Sequence, residues 1–364
     1  VIPVVVVELL FGIVIGPQVS DLAKVDDFTT FFGNLGLGML FFFAGYEIDF
    51  ERIRGAPLKL GAVAWGLSLV IAYGIGGALA AAGVVASLLF TGSAIATTAI
   101  GTLVPVLKDA GELRTRFGGY LLTAGAIGEF GPILLITLVL SGSHPIEEAV
   151  LLIAFVAIAV LTGLLAVRSA FRGWGALERT FEASSQLAVR IVVVLVFGLV
   201  ALATDLGLDL LLGGFVAGLI TRQALKGREV PVFESKLTAL GYGFLIPFFF
   251  ITSGMRFDGS ALVASPSALL ELPLFLGLFL IARGVPALLV YRRVLPDLRD
   301  RAALAFYSST QLPLVVAITT VALERGHMRS TTAAALVGAA ITSTLVFPLV
   351  ALRLRRDAER VATA

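Results

Sequence analysis

The chain has 364 residues, 58% of them hydrophobic and 14% charged, with a formal net charge of +2 and a mean hydropathy of +1.00. A soluble domain of this length lacks the interior to hide so much apolar surface. Cysteine is absent, which excludes a disulfide framework, a thiol nucleophile and a cysteine-based metal site.

Apolar runs of roughly 20 residues, enough to cross about 30 Å of hydrocarbon, recur along the chain and predict an all-α, polytopic membrane protein. Twelve helices are expected, at 3–16, 31–46, 58–82, 85–107, 117–140, 147–171, 185–204, 207–221, 237–255, 267–291, 301–323 and 331–352. The first residue is Val rather than Met, so a segment ahead of it is expected, and no signal peptide is visible. His144 and His327 fall in connecting loops, where a lone histidine is ordinarily solvated. The glycine-rich run "GIGGALAAAG" of the third span has no strand before it and no acid after it, so it reads as a packing helix. No hydrolase triad, phosphate loop or metal cluster is present in the sequence, and an enzyme is not expected.

The basic residues fix the orientation. Lys24, Arg256, Arg325 and Arg329 lie in the loops of one side, and every other Lys or Arg but one lies in the alternate loops. The richer side is cytoplasmic, which puts the C-terminus inside. The exception is Arg283, within "LFLIARGVPALLVY" of the tenth span. Its acidic counterpart is Glu129, in "GAIGEFGP" of the fifth span, inside an uncharged run from Phe117 to Ser141. Glu8 and Glu271 lie nearer the ends of their apolar runs, and Glu8 reads as structural.

Two segments look like copies. "GIVIGP" from Gly12 matches "GFVAGL" from Gly214, and "LGLGMLFFFAGYEIDF" from Leu35 matches "LGYGFLIPFFFITSGMRFD" from Leu240. Two matches in the same order argue for duplication. Five-helix units at spans 1–5 and 8–12, separated by two helices, would be inverted, a common plan for secondary transporters with a midplane site. The fourth helix of each unit carries a Ser/Thr cluster beside Gly or Pro: "TGSAIATTAIGTLVP" (91–105) and "YSSTQLP" (307–313). Helices unwound there would aim free backbone groups at a central site; alternatively, the hydroxyls bond back to their own helices.

The chain resembles the membrane domain of the monovalent cation–proton antiporter superfamily, in its branch of sodium/proton exchangers and potassium-efflux systems. The resemblance rests on "ELLFGIVIGP" (8–17), "LGMLFFFAGYEIDFERIR" (37–54), "SAIATTAIGTLV" (93–104), "GGFVAGLI" (213–220) and "FFFITSGMRFD" (248–258), taken in order. It implies thirteen helices with the first ahead of Val1, and two unwound helices crossing at Thr97–Thr98 and Ser308, Ser309, Thr310 and Gln311. It implies a cation-binding acid at Glu129, with Gly128 where relatives carry a first acid or Asn, and a basic residue at Arg283. It further implies an elevator-type homodimer. Residues 1–50 and 185–258 would form the dimerisation part, 58–140 and 267–352 the ion-binding core, and 147–171 a linker helix.

A deep carboxylate is costly when charged and alone, so Glu129 is suited to hold a proton or a bare cation in competition. Hard oxygen ligands replace hydration; Glu129 and the hydroxyls or carbonyls of Thr97 and Thr98 would supply them. Gly125 and Gly128 share a helix face with Glu129, where small residues let a backbone, water or ion approach. The expected function is exchange of Na+ or K+ for protons, one for one, across the lipid bilayer, with no cofactor and no nucleic-acid partner. An organic-anion/sodium symporter of the same plan, or a non-transporting membrane sensor, are the alternatives.

Overall fold

A computed structural model describes residues 4–47, 55–140, 186–206, 210–225, 230–257 and 266–362, with isolated positions between 154 and 165 and at 259–260. The sixth expected span, 147–171, falls largely outside the described residues. Among the described residues the regular structure is helical throughout, and seven helical stretches are long and apolar enough to cross a membrane.

In chain order the helices are α1 (Val4–Ile15), α2 (Asp27–Tyr46), α3 (Ala56–Ala81), α4 (Leu88–Ile95), α5 (Ile100–Asp109) and α6 (Arg116–Leu140). There follow α7 (Leu187–Asp205), α8 (Leu210–Ala224), α9 (Pro231–Leu240) and α10 (Ile246–Arg256). The last are α11 (Pro266–Phe279), α12 (Val285–Val290), α13 (Leu298–Ser308), α14 (Pro313–Glu324) and α15 (Ser330–Ala362).

Local chemistry explains where these differ from the expected spans. Helix α2 starts four residues early because Asp26 caps it. Its carboxylate accepts from the Thr29 amide at 2.8 Å, and the Thr29 hydroxyl oxygen accepts from the Asp26 amide at 2.9 Å, a reciprocal capping box. The bonds from Thr29 hold the Asp26 carboxyl below the usual carboxylate range. Helix α9 begins at Pro231, whose missing N–H costs nothing in a first turn. Helix α15 runs ten residues past the expected 352, because "LRLRRDAERVA" is charged but contains only residues a helix tolerates.

Two helices widen into single π turns, Gly241–Leu245 between α9 and α10 and Leu280–Gly284 between α11 and α12. A proline follows each by two residues, Pro247 and Pro286. Its ring collides with the carbonyl four residues back, and the extra residue per turn relieves the collision. Arg283 lies inside the second π turn.

The chain forms two compact units, residues 1–24, 50–132 and 253–364 in one and residues 25–49 and 133–252 in the other. In the first, α1 packs closely on the end of α10: a Cβ on Gly254 would meet the backbone of Leu9, Gly12 and Ile13. In the second, α8 packs on α2 as closely, with Gly214 against the Gly38 backbone, Gly218 against Phe42 and Tyr46, and Gly45 against Phe215. Without water to compete for, small residues at such crossings gain dispersion contacts that bulkier ones forbid.

Candidate functional site

The first unit contains two helix breaks. The stretch 96–99 separates α4 from α5, and 309–312 separates α13 from α14. They cross: the Ala99 amide donates to the Thr310 carbonyl at 2.8 Å. The Thr97 hydroxyl lies 3.1 Å from Gln311 Oε1 and 3.0 Å from the Ala94 carbonyl, either of which takes its proton. Gln311 Nε2 donates to the Ile95 carbonyl at 2.8 Å, and the Thr98 hydroxyl donates to the Ser308 carbonyl at 2.6 Å. Broken helices buried in protein must find partners for their freed backbone groups, and here the two breaks satisfy one another.

Helix α15 supports the second break. Ser343 Oγ accepts from the Gln311 amide at 3.0 Å, and the Thr344 hydroxyl donates to the Gln311 carbonyl at 3.1 Å. The side chains of Ser309 and Thr310 bond back to Ala305 and Phe306 of their own helix, at 2.7 and 3.2 Å. Thr310 therefore joins the crossing through its carbonyl, and Ser309 serves α13.

Glu129 is 1% exposed. The backbone of Ile100 and Gly101, the first two residues of α5, lies beside its carboxylate, where the positive end of a helix dipole favours an anion. Its Oε2 is buried and, among the described residues, has no hydrogen-bond partner. A Cβ on Gly125 would stand 2.6 Å from Ile100 Cδ1, so that glycine lets α6 approach the start of α5.

Arg283 is 3% exposed and turns elsewhere. Nε and Nη2 donate to the Thr98 hydroxyl oxygen at 2.9 and 2.7 Å, Nη2 also to the Ala124 carbonyl at 3.2 Å, and Nη1 to Ser68 Oγ at 3.2 Å. Nε lies 3.4 Å from the Ser308 carbonyl at the end of α13, the negative pole of that helix. Among the described residues Arg283 makes no ion pair, with Glu129 or any other acid. The two deep charges are thus held at opposite kinds of helix end.

All ten residues expected at the site lie in this unit, though the Ser309 hydroxyl only bonds back to its own helix and Gly125 acts through packing. Ser68, Ser343 and Thr344 were not singled out. Each is a hydroxyl in an apolar helix, a signal too common to choose among without knowing what faces it.

The chain is 27% identical to the Bacillus subtilis protein YjbQ, over 99% of this chain and 60% of that one. It is also 27% identical to the Na+/H+–K+ antiporter GerN of Bacillus cereus, over 71% of this chain and 66% of GerN. It spans less than two-thirds of the length of either relative. The fold is similar to the solved structure of the sodium proton antiporter MjNhaP1 from Methanocaldococcus jannaschii, with a TM-score of 0.64 and 17% identity over 97% of this chain and 90% of that one. The family described as sodium/hydrogen exchanger, transmembrane, matches residues 1–352, and the chain belongs to that family.

Proposed function

We propose that the protein exchanges Na+ or K+ for protons across the cell membrane, with Glu129 carrying both. The observation that bears this reading is the buried Oε2 of Glu129, unpartnered among the described residues beside two crossed helix breaks. A buried oxygen without a donor is costly, and a proton or a monovalent cation relieves that cost. Oxygens of the Thr97–Thr98 break complete the ion's shell, and the two occupants exclude one another because each neutralises the same carboxylate. A potassium as well as a sodium role for GerN leaves both ions open for this chain.

The network that ties α3, α4, α6, the π turn before α12, α13 and α15 through Arg283, Thr98, Gln311 and Ser343 supports residues 58–140 and 267–352 moving as one body in an elevator cycle. The reciprocal packing of "GIVIG" on the end of α10 and "GFVAG" on α2 supports two inverted repeats. Residues 1–50 and 185–258 would then serve as the dimerisation part, with the C-terminus cytoplasmic.

The test is proton flux in proteoliposomes on addition of Na+, K+ or a bile-acid-like anion. Cation-driven flux is expected for the native chain and its loss for Glu129→Gln, with the variant still inserted and folded. Full exchange by that variant would sink the assignment; flux driven by the anion alone would favour a symporter.

A further inference from the structure

Thr98, Gly128, Pro132 and Arg283 fit together in a way that changes what Thr98 can do. Pro132 lies inside α6 and has no amide hydrogen, so the carbonyl four residues back, on Gly128, loses its helical donor. That carbonyl instead accepts from the Thr98 amide at 3.0 Å. The same glycine leaves room beside it: a Cβ there would stand 2.7 Å from Thr98 Oγ1 and run into the Arg283 guanidinium. One residue therefore anchors the Thr98 backbone with its carbonyl and admits Arg283 by its missing side chain.

The Thr98 hydroxyl is then fully used. A threonine hydroxyl has one proton to give and two lone pairs. The proton goes to the Ser308 carbonyl, and the lone pairs take Nε and Nη2 of Arg283. No lone pair remains for an ion, and two guanidinium N–H groups stand where one would sit. Thr97 differs: its hydroxyl donates to Ala94 or Gln311, and among the described residues nothing donates to it.

We propose that Gly128 and Pro132 seat Thr98 and Arg283 as a fixed latch between α4–α5, α6 and the end of α13, so that Thr98 is a positioning residue and not a side-chain ligand of the ion. Ser68 is the latch's third leg, holding Nη1 and in turn donating to the Ala64 carbonyl at 2.9 Å. The assignment builds on the cation–proton exchange reading above. Gly128 is thereby not a lost ligand but the space Arg283 occupies.

The experiment is a mutant cycle on the full chain, read by Na+-driven proton flux in liposomes and by thermal unfolding in detergent. Removing a hydrogen bond to a charged group typically costs about tenfold or more, so Thr98→Val should lower the maximal rate about tenfold while the Na+ KM changes less than about threefold. Thr98→Ser, which keeps the hydroxyl, should recover most of the rate. Gly128→Ala should resemble Thr98→Val, and the double variant should be no worse than either single, because both break one unit. Arg283→Lys in the Gly128→Ala background should recover part of the loss, since an ammonium is slimmer than a guanidinium. A Na+ KM raised tenfold in Thr98→Val at near-native rate would make Thr98 a ligand and overturn the latch. So would additive losses in the double variant, in rate or in unfolding temperature. Native chain without cation-driven flux would instead defeat the exchange reading, and the unfolding cycle would still decide the latch.

Discussion

Thr98 and Gln311 hold equivalent places in the two crossed breaks. Each is the third residue beyond the last residue of its half-helix, Ile95 of α4 and Ser308 of α13, and each side chain donates to the last carbonyl of the other half-helix. A helix that stops in a buried place leaves carbonyls that water cannot reach. Here each break supplies the cap the other needs, so neither can form alone.

Gln311→Leu should therefore destabilise the protein by about 1–3 kcal/mol, the cost of leaving the buried Ile95 carbonyl unsatisfied. Gln311→Glu keeps the acceptor near Thr97 but loses the donor to Ile95, and should fall between the two. Thermal unfolding in detergent measures both; a Gln311→Leu protein as stable as the native one would show that water fills the gap.

The Arg355 guanidinium grips Glu112 with two bonds, at 2.7 and 3.0 Å, and Asp300 with a third at 2.7 Å, while lying 4.4 Å above the Phe117 ring. These groups join the turn after α5 and the start of α6 to α13 and α15. Arg355→Met leaves two largely buried carboxylates without their cation and should cost roughly 2–4 kcal/mol. Its unfolding midpoint in detergent should fall below the native one. A midpoint equal to the native value at neutral pH would contradict this.

Exchange should be electroneutral. In the proposed exchange one central carboxylate would alternate between a proton and a monovalent cation, and Arg283 would add no second proton because a guanidinium does not give one up. An imposed potential of about 100 mV, worth roughly 2.3 kcal/mol per charge moved, should leave the equilibrium Na+ gradient in liposomes unchanged. A shifted gradient would mean a second charge carrier.

A homodimer is expected from native mass spectrometry in lipid. The outward face of α1, with Val4, Val7, Leu10, Phe11 and Val14 exposed, and that of α7, with Leu187, Ile191 and Val194, are apolar surfaces for lipid or a second copy. A monomer with full activity would remove the dimerisation role.

The sequence by itself determined the membrane class, because its apolar runs permit only structures that satisfy their own backbone. It also marked where two helices break, through Ser/Thr clusters beside Gly and Pro, and it isolated Glu129 and Arg283 as the two deeply placed charges. Composition and spacing carry those facts because hydrophobic burial and helix propensity are properties of a segment.

Only the tertiary structure decided how the two charges are used. Opposite signs in one apolar domain suggest an ion pair, yet Arg283 binds Thr98, Ser68 and two carbonyls while Glu129 lies at the start of α5. The partners come from α3, α4–α5, α6 and α13, and no periodicity within one helix states which face of a neighbour it will meet. The same holds for Gly128 and Pro132. In sequence they are a small residue and a helix breaker; packed together, the carbonyl freed by one belongs to the other and finds its donor on Thr98. Hydrogen-bond satisfaction in a buried crossing is a condition on several segments at once, and it is settled only when all of them are in place.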